Sequence, residues 1–318
     1  MALDPAVAEV RAAVRTALGL TEPGAPVTVA CSGGADSIAL AAAVAFEAAR
    51  VGIDAGAVTV DHGLQPGSDD RAATVAAVLR GIGLDPVTVA TVVVDGPGGP
   101  EAAARRARYA ALESTQSERG GWVALGHTLD DQAETVLIGL GRGSGPRSLA
   151  GMSAARFPWL RPLLPVRRAT TRAACVAEGL PVWDDPHNSD PAYTRVRVRH
   201  ELLPLMDDVL NGGVAAALAR TADLLREDCD ALDVIVADLA VDGLRDAAPD
   251  VDVFAGLHPA VRRRLLRLWL AGVVGLTAAH LGAVDALLVD WHGQGEVALP
   301  GGWEVYRASG RLHLQAGS

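Results

Sequence analysis

The sequence predicts an α/β fold: a doubly wound, mostly parallel sheet, then a smaller C-terminal helical domain that ends in a short β-meander. Three observations carry this expectation. Short Val-rich runs alternate with Ala-rich periodic stretches through the N-terminal half. After Asn211-Gly212-Gly213 helical periodicity continues without intervening strands. The stretch 295–314 alternates around a Gly301-Gly302 turn. The 318 residues, half of them apolar, suffice for one large and one smaller core, with the division expected between 1–210 and 211–318.

Asp4-Pro5 reads as a helix cap followed by the first helical position, with Gly19 as the stop. Strands are expected over 27–31, 55–60, 86–94 and 122–125. Helices are expected over 36–50, 69–80, 101–119 and 130–140. The Arg- and Pro-rich stretch 157–166 is expected to leave the sheet before a helix over 167–178. Further helices are expected over 214–240, 259–272 and 277–289. In such a fold, ligands bind beyond the carboxyl ends of the strands, and the polar motifs sit just after strands.

Composition excludes several chemistries. All 28 basic residues are arginine. Without lysine there is neither a Walker A site nor an internal imine. The net charge of −10 argues against general affinity for nucleic acid. Residues 142–199, however, hold ten Arg against Glu178, Asp184, Asp185 and Asp190, which suits a local polyanion site. Cys31, Cys175 and Cys229 stand far apart, without zinc or iron–sulfur spacing, as expected in a reducing compartment. No signal-like segment opens the chain, and His280 and Asp285 interrupt the apolar stretch 270–289. A cytoplasmic protein that crosses no membrane is expected.

Ser32-Gly33-Gly34-Ala35-Asp36-Ser37 follows the first strand and opens a helix. The Gly pair lets the backbone turn tightly and present N–H groups, and the helix start adds its positive dipole end. Ser32 and Ser37 add hydroxyls. This is an anion cradle that needs no lysine, suited to diphosphate leaving ATP. Asp36 makes sense there if Mg²⁺ joins it to phosphate oxygens. An isolated string of this kind also reads as a capped turn; its place between strand and helix favours the cradle. The string resembles the SGGxDS signature of the PP-loop ATP pyrophosphatases, which adenylate a carbonyl oxygen and release diphosphate.

After the fourth strand comes Gly126-His127-Thr128-Leu129-Asp130-Asp131-Gln132-Ala133-Glu134-Thr135. Asp131 and Glu134 share one helix face, and His127 precedes it, a set suited to metal binding or proton removal. The string resembles a motif of the tRNA(Ile)-lysidine synthetases. Further segments are similar to that family: Val60-Asp61-His62-Gly63-Leu64, the ExxARxxRY helix with Glu101, Arg105, Arg108 and Tyr109, and the Gly-rich 141–152, where Ser148 replaces the usual Gly. The stretch 183–204 matches through Asp185, Asn188 and Arg195, with Val196 in place of the usual Asn, and Leu299–Trp303 matches near the end.

The resemblance implies a two-step tRNA modification. The 2-oxygen of the wobble cytidine of tRNA(Ile) with a CAU anticodon attacks the α-phosphate of ATP, and the ε-amine of free L-lysine then displaces AMP. It implies ATP at Ser32–Ser37, Asp61, His62 and His127, with Mg²⁺ at Asp36. Asp131 and Glu134 would bind lysine and receive its proton, making them catalytic together with Asp36. Arg105, Arg108, Arg142, Asn188, Arg195 and Arg197 would contact tRNA. The triple Arg262-Arg263-Arg264 reads best as one solvated helix face. Two other classes stay open: a tRNA thiolase, for which no second cysteine is expected near Cys31, and a non-catalytic nucleotide- or RNA-binding protein.

Overall fold

The computed structural model describes residues 3–63, 65–96, 99–184, 190–239 and 248–317. It divides into two compact units, Met1–Gly143 with Leu149–Ala222, and Ser144–Ser148 with Asp223–Ser318. The division falls within a long helix, C-terminal to the Gly pair at 212–213 where composition alone suggests it.

The first unit opens with α1 (Pro5–Leu18), capped by Asp4, whose carboxylate accepts from the Ala6 N–H at 2.8 Å. Strand and helix then alternate: β1 (Val27–Ala30), α2 (Ala35–Val51), β2 (Ala55–Asp61), α3 (Ser68–Gly81), β3 (Val87–Thr91), α4 (Gly99–Arg119), β4 (Trp122–Leu125) and α5 (Leu129–Gly141). After α6 (Pro146–Leu149), most of which belongs to the second unit, come β5 (Ala155–Arg156) and β6 (Trp159–Leu160), then α7 (Arg168–Ala177). The order across the sheet is β3-β2-β1-β4-β6-β5, parallel except for β5.

Central β1 and β4 are buried almost throughout, as a strand covered on both faces must be, while β3 lies at the edge and is largely exposed. One face is covered by α1, α2 and α7, through Val10, Val14, Ile38, Leu40 and Ala174. The other carries Leu112 of α4 against Val58, Val123 and Leu125. The chain returns to β2 on one side of β1 and reaches β4 on the other. Their carboxyl ends therefore form the switch-point crevice of the sheet.

Two local expectations need correction. The stretch 157–166 does not leave the sheet: Trp159 and Leu160 pair in parallel with Val123 and Ala124. A two-residue strand after Pro158 is too short to show a period. Residues 194–209, read from sequence only as a motif, are helical: α8 (Thr194–Arg197), a π-helical turn over Val198–Leu202, and α9 (Leu203–Val209). Val198 and Leu203 pack there with Ala133 and Leu137 of α5, and Val196 is buried as well.

Helix α10 (Val214–Leu239) runs from the first unit into the second, which adds α11 (Val251–Ala255), α12 (Pro259–Trp269), α13 (Ala278–Val289) and the antiparallel meander β7 (Val297–Leu299), β8 (Trp303–Ala308) and β9 (Arg311–Ala316). Phe254, Leu266, Leu287, Val305 and Leu312 form its core. The Arg triple is not one solvated face: Arg263 is exposed, but Arg262 is buried. Arg262 is 4 % exposed and Asp285 2 %; Arg262 Nε donates to Asp285 Oδ1 at 2.5 Å and Arg263 Nε to Oδ2 at 2.9 Å. The acid that interrupts the apolar stretch thus meets its countercharge inside the core. Among the described residues no single helix is long and apolar enough to cross a membrane.

Removing one partner of a buried pair leaves the other charge uncompensated. Asp285→Ala is expected to destabilise the second unit by about 3–5 kcal/mol, read from urea unfolding. A loss below about 1 kcal/mol, the worth of a surface pair, would contradict this role.

Candidate active site

The crevice is built from two strand-to-helix turns held side by side. After β1 the chain turns through Gly33 at φ +87°, a conformation open to glycine, and Gly34 caps α2. A Cβ on Gly33 would also stand 2.7 Å from Val75 Cγ2. The Ser37 hydroxyl fastens this loop: it donates to the Gly34 carbonyl at 2.9 Å and accepts from the Ser32 N–H at 3.2 Å. Ser37 therefore shapes the cradle from within, and Ser32 lies more exposed. Across the crevice, Gly126 abuts the first turn of α2; a Cβ there would stand 3.1 Å from the Ser37 N.

The second turn is a capping box. Asp131 Oδ2 accepts from the Thr128 N–H at 2.9 Å and from the Thr128 hydroxyl at 2.7 Å, which locks the start of α5. Asp130 ties the start of α7 to it by accepting from the Arg168 N–H at 2.8 Å. These fixed helix starts bring Arg168 to the acids. Its Nη2 donates to Asp131 Oδ1 at 2.8 Å, its Nη1 and Nη2 to Glu134 Oε1 at 3.3 Å, and its Nε to Asp36 Oδ2 at 3.4 Å.

Glu134 is fully buried, at 0 % exposure. Arg199 meets it with Nε at 2.7 Å and Nη2 at 3.2 Å, and Arg195 Nε stands 3.7 Å away. Arg195 also donates to the Thr135 hydroxyl at 3.2 Å. The three proposed catalytic acids do converge, but around guanidinium groups. Arg168, Arg199 and Thr171, whose hydroxyl donates to Asp36, were missed by motif reading. The signal was there: three acids on two helix starts beside an Arg-rich segment require internal countercharges.

The electrostatics separate the acids. Burial pushes the Asp36 carboxyl up, and nearby Asp131 adds to this against the Thr171 hydrogen bond and Arg168. Burial acts to raise Asp131 too, yet Arg168 and the Thr128 donors outweigh it and hold that carboxyl low. His127 is pushed down to about 3, first by burial and then by Arg161, Arg108 and Arg105, although Asp131 acts the other way. Its Nδ1 is buried without a hydrogen-bond partner among the described residues. Burial with Arg105 and Arg195 nearby also lowers Arg108, so this flank of the crevice is strongly electropositive.

The remaining expected site residues lie as follows. Asp61 ends β2, and its carboxyl is held low by the Gly63 N–H at 3.0 Å and then by Ser68. His62 follows it. Arg105 and Arg108 flank Tyr109, which packs edge-on against Trp159 at 5.1 Å. Arg142 is exposed at the far end of α5, about 12 Å beyond Glu134 and about 16 Å beyond Asp131 along the helix at 1.5 Å rise per residue. Arg197 is exposed and forms a forked pair with Glu201, with Nε at 3.0 Å and Nη2 at 2.8 Å. Asn188 and Asp185 lie outside the described residues.

No group of three or more His, Cys, Asp or Glu among the described residues is arranged to hold a metal by itself. Asp36 would bring a cation one carboxylate, so the other ligands would come from nucleotide and water, which is how Mg²⁺ is commonly bound. The cysteine expectation needs correction. Cys175 lies near Cys31, and its thiol donates to the Ala35 carbonyl at 3.4 Å. Burial raises both thiols, Cys175 to about 11, so neither is a ready thiolate.

A histidine held neutral by the fold binds its proton more weakly folded than unfolded. Its stabilising effect is full above the unfolded pKa near 6.5 and is lost as pH falls toward about 3. Between those limits His127 is expected to steepen the loss of stability by up to about 1.4 kcal/mol per pH unit. Urea unfolding at pH 7 and pH 5 tests this. His127→Gln should lose less stability than the wild type over that interval, and equal losses would refute it.

The chain matches the PP-loop domain over residues 9–206 and the TilS substrate binding domain over residues 250–313. It is 56 % identical over 306 residues to the tRNA(Ile)-lysidine synthase of Streptomyces coelicolor, covering 93 % of this chain and 87 % of that protein. It is 54 % identical to the one of Thermobifida fusca, covering 98 % of each. Among solved structures, the U34-tRNA thiolase NcsA from Methanococcus maripaludis superposes with a TM-score of 0.58 at 18 % identity, over 70 % of this chain and 80 % of that one, a likeness of fold. Placed on the crevice between β1 and β4, these matches identify the chain as a member of the tRNA(Ile)-lysidine synthase family of PP-loop proteins.

Proposed function

We propose that this chain activates the 2-oxygen of the wobble cytidine in tRNA(Ile) with a CAU anticodon and joins free L-lysine to carbon 2, forming lysidine. It is an ATP-using tRNA-modifying ligase, as its family membership states. The observation that carries the finer reading is the juxtaposition of the Gly33-Gly34 turn with the Asp131–Glu134 helix start at one switch point.

The N–H groups at the start of α2 receive the departing diphosphate, and Ser32 adds a hydroxyl. Asp36 would hold Mg²⁺ together with phosphate oxygens; when bound, the ion supplies neutralisation of their charge. The target base leaves the anticodon stack to reach this crevice. Arg105, Arg108 and Arg195 line the electropositive flank and hold the tRNA backbone beside it. Arg142 and Arg197, exposed elsewhere, reach only more distant backbone. Asp61 shapes the loop that carries His62 at the nucleotide.

Lysine arrives as an ammonium with a pKa of about 10.4, so making it neutral near pH 7 costs roughly 4–5 kcal/mol. Asp131 and Glu134 offset this by binding the ammonium and taking its proton as the bond to carbon 2 forms. His127, neutral at working pH, contacts ATP as a polar, uncharged neighbour.

Nucleoside mass spectrometry of tRNA(Ile) after incubation with ATP, Mg²⁺, lysine and protein tests the reaction. Lysidine is expected only when all four are present, and an unmodified tRNA would refute it. Asp36→Ala is expected to lose tRNA-dependent diphosphate release by about 10²-fold or more, as for loss of a key electrostatic group. Near-normal release would remove Asp36 from the site. Arg105→Ala is expected to weaken tRNA binding and lower the salt slope by about 1. An unchanged slope would clear Arg105.

A further inference from the structure

The lysine site proposed above is already filled. Asp131 Oδ2 takes two donors from Thr128, and Oδ1 takes Arg168 at 2.8 Å and Arg199 at 3.4 Å. Glu134 Oε1 takes Arg199 at 2.7 Å and Arg168 at 3.3 Å, and Oε2 takes Arg199 at 3.2 Å with Arg195 at 3.7 Å. A carboxylate has about four acceptor positions. An incoming ammonium therefore finds no open pair of acceptors until a guanidinium withdraws.

The three arginines are not equally held. Arg199 grips Glu134 through two of its nitrogens, and Arg195 is also anchored on Thr135. Arg168 is instead spread over Asp36, Asp131 and Glu134, with only its bond to Asp131 shorter than 3 Å. It is also the one of the three that touches the first turn of α2, beside the Gly33-Gly34 cradle. A triphosphate entering the cradle would offer Arg168 a pair of charged oxygens on one phosphoryl group, which its planar guanidinium can take together in place of contacts spread over three carboxylates. When Arg168 leaves, Asp131 Oδ1 and Glu134 Oε1 each lose a donor, while Arg199 still compensates buried Glu134.

We propose that Arg168 is an internal cation that occupies the ammonium position until nucleotide phosphates draw it away, so that ATP binding opens the lysine site. This rests on Asp131 and Glu134 being that site. Arg168 is a positioning residue: it controls when the acids become available and takes no part in bond making. Because linkage is reciprocal, lysine tightens nucleotide by the same factor that nucleotide tightens lysine.

The test is calorimetric titration of L-lysine into the full chain, with and without Mg²⁺ and α,β-methylene ATP, which cannot release diphosphate. The wild type is expected to bind lysine about tenfold or more tightly with the analogue, within the usual range of coupling. In Arg168→Gln that ratio is expected to fall to about 1, because lysine binds the nucleotide-free protein more tightly than in the wild type. Arg168→Lys, which restores a cation, is expected to restore a ratio above 1. Equal lysine affinity in the wild type with and without analogue overturns the proposal, and this arm needs no variant. A wild-type ratio retained in Arg168→Gln overturns it too. If lysidine is still formed on tRNA(Ile) in either case, only the gating fails. If no lysine is bound under either condition and none is joined to tRNA, the lysine reading itself fails.

Discussion

Glu134 is wholly out of water, and a carboxylate so placed must have cations within a few ångströms. That requirement shapes the strand-end crevice of the first unit. It brings Arg168 from α7 and Arg199 from the π-helical turn onto the face of α5 that carries Asp131 and Glu134. Breaking one buried pair commonly costs 3–5 kcal/mol or so, enough to keep these elements in register. The acids and arginines are thus a structural clasp.

The sheet determines where the clasp can act. Because β1 and β4 are neighbours and their connections diverge, the two glycine turns that follow them face each other at backbone distance. One turn presents N–H groups and the other presents acids. An anion leaving one substrate and a cation approaching from another can therefore be handled within one crevice. Arg105, Arg108 and Arg161 make the flank beside His127 electropositive although the whole chain carries −10.

Much of this was legible in the sequence for a physical reason: periodicity and turn chemistry are local. The alternation of Val-rich and Ala-rich runs gave the sheet and its helices, and Gly33-Gly34 announced the first turn, whereas the Thr128 cap of the second was not read. What could not be read depends on contacts between distant segments. Arg168 and Arg199 lie 34 and 65 residues beyond Glu134, and nothing local distinguishes them from Arg142 or Arg197. Arg262 and Asp285 failed in the same way: an apparent surface charge and an interruption proved to be partners in a core. The strand at 159–160 was hidden because two residues carry no period. The nearness of Cys175 to Cys31 likewise follows only from packing of α7 on α2.

The claim on which the chemistry turns is that the loop after β1 receives the diphosphate of ATP. Crystallographic positions of the phosphates of α,β-methylene ATP, bound with Mg²⁺, measure it most directly. They are expected within about 3 Å of backbone N–H groups between Gly33 and Ser37, the ordinary hydrogen-bond range. Phosphates ordered at any other place in the molecule would contradict it.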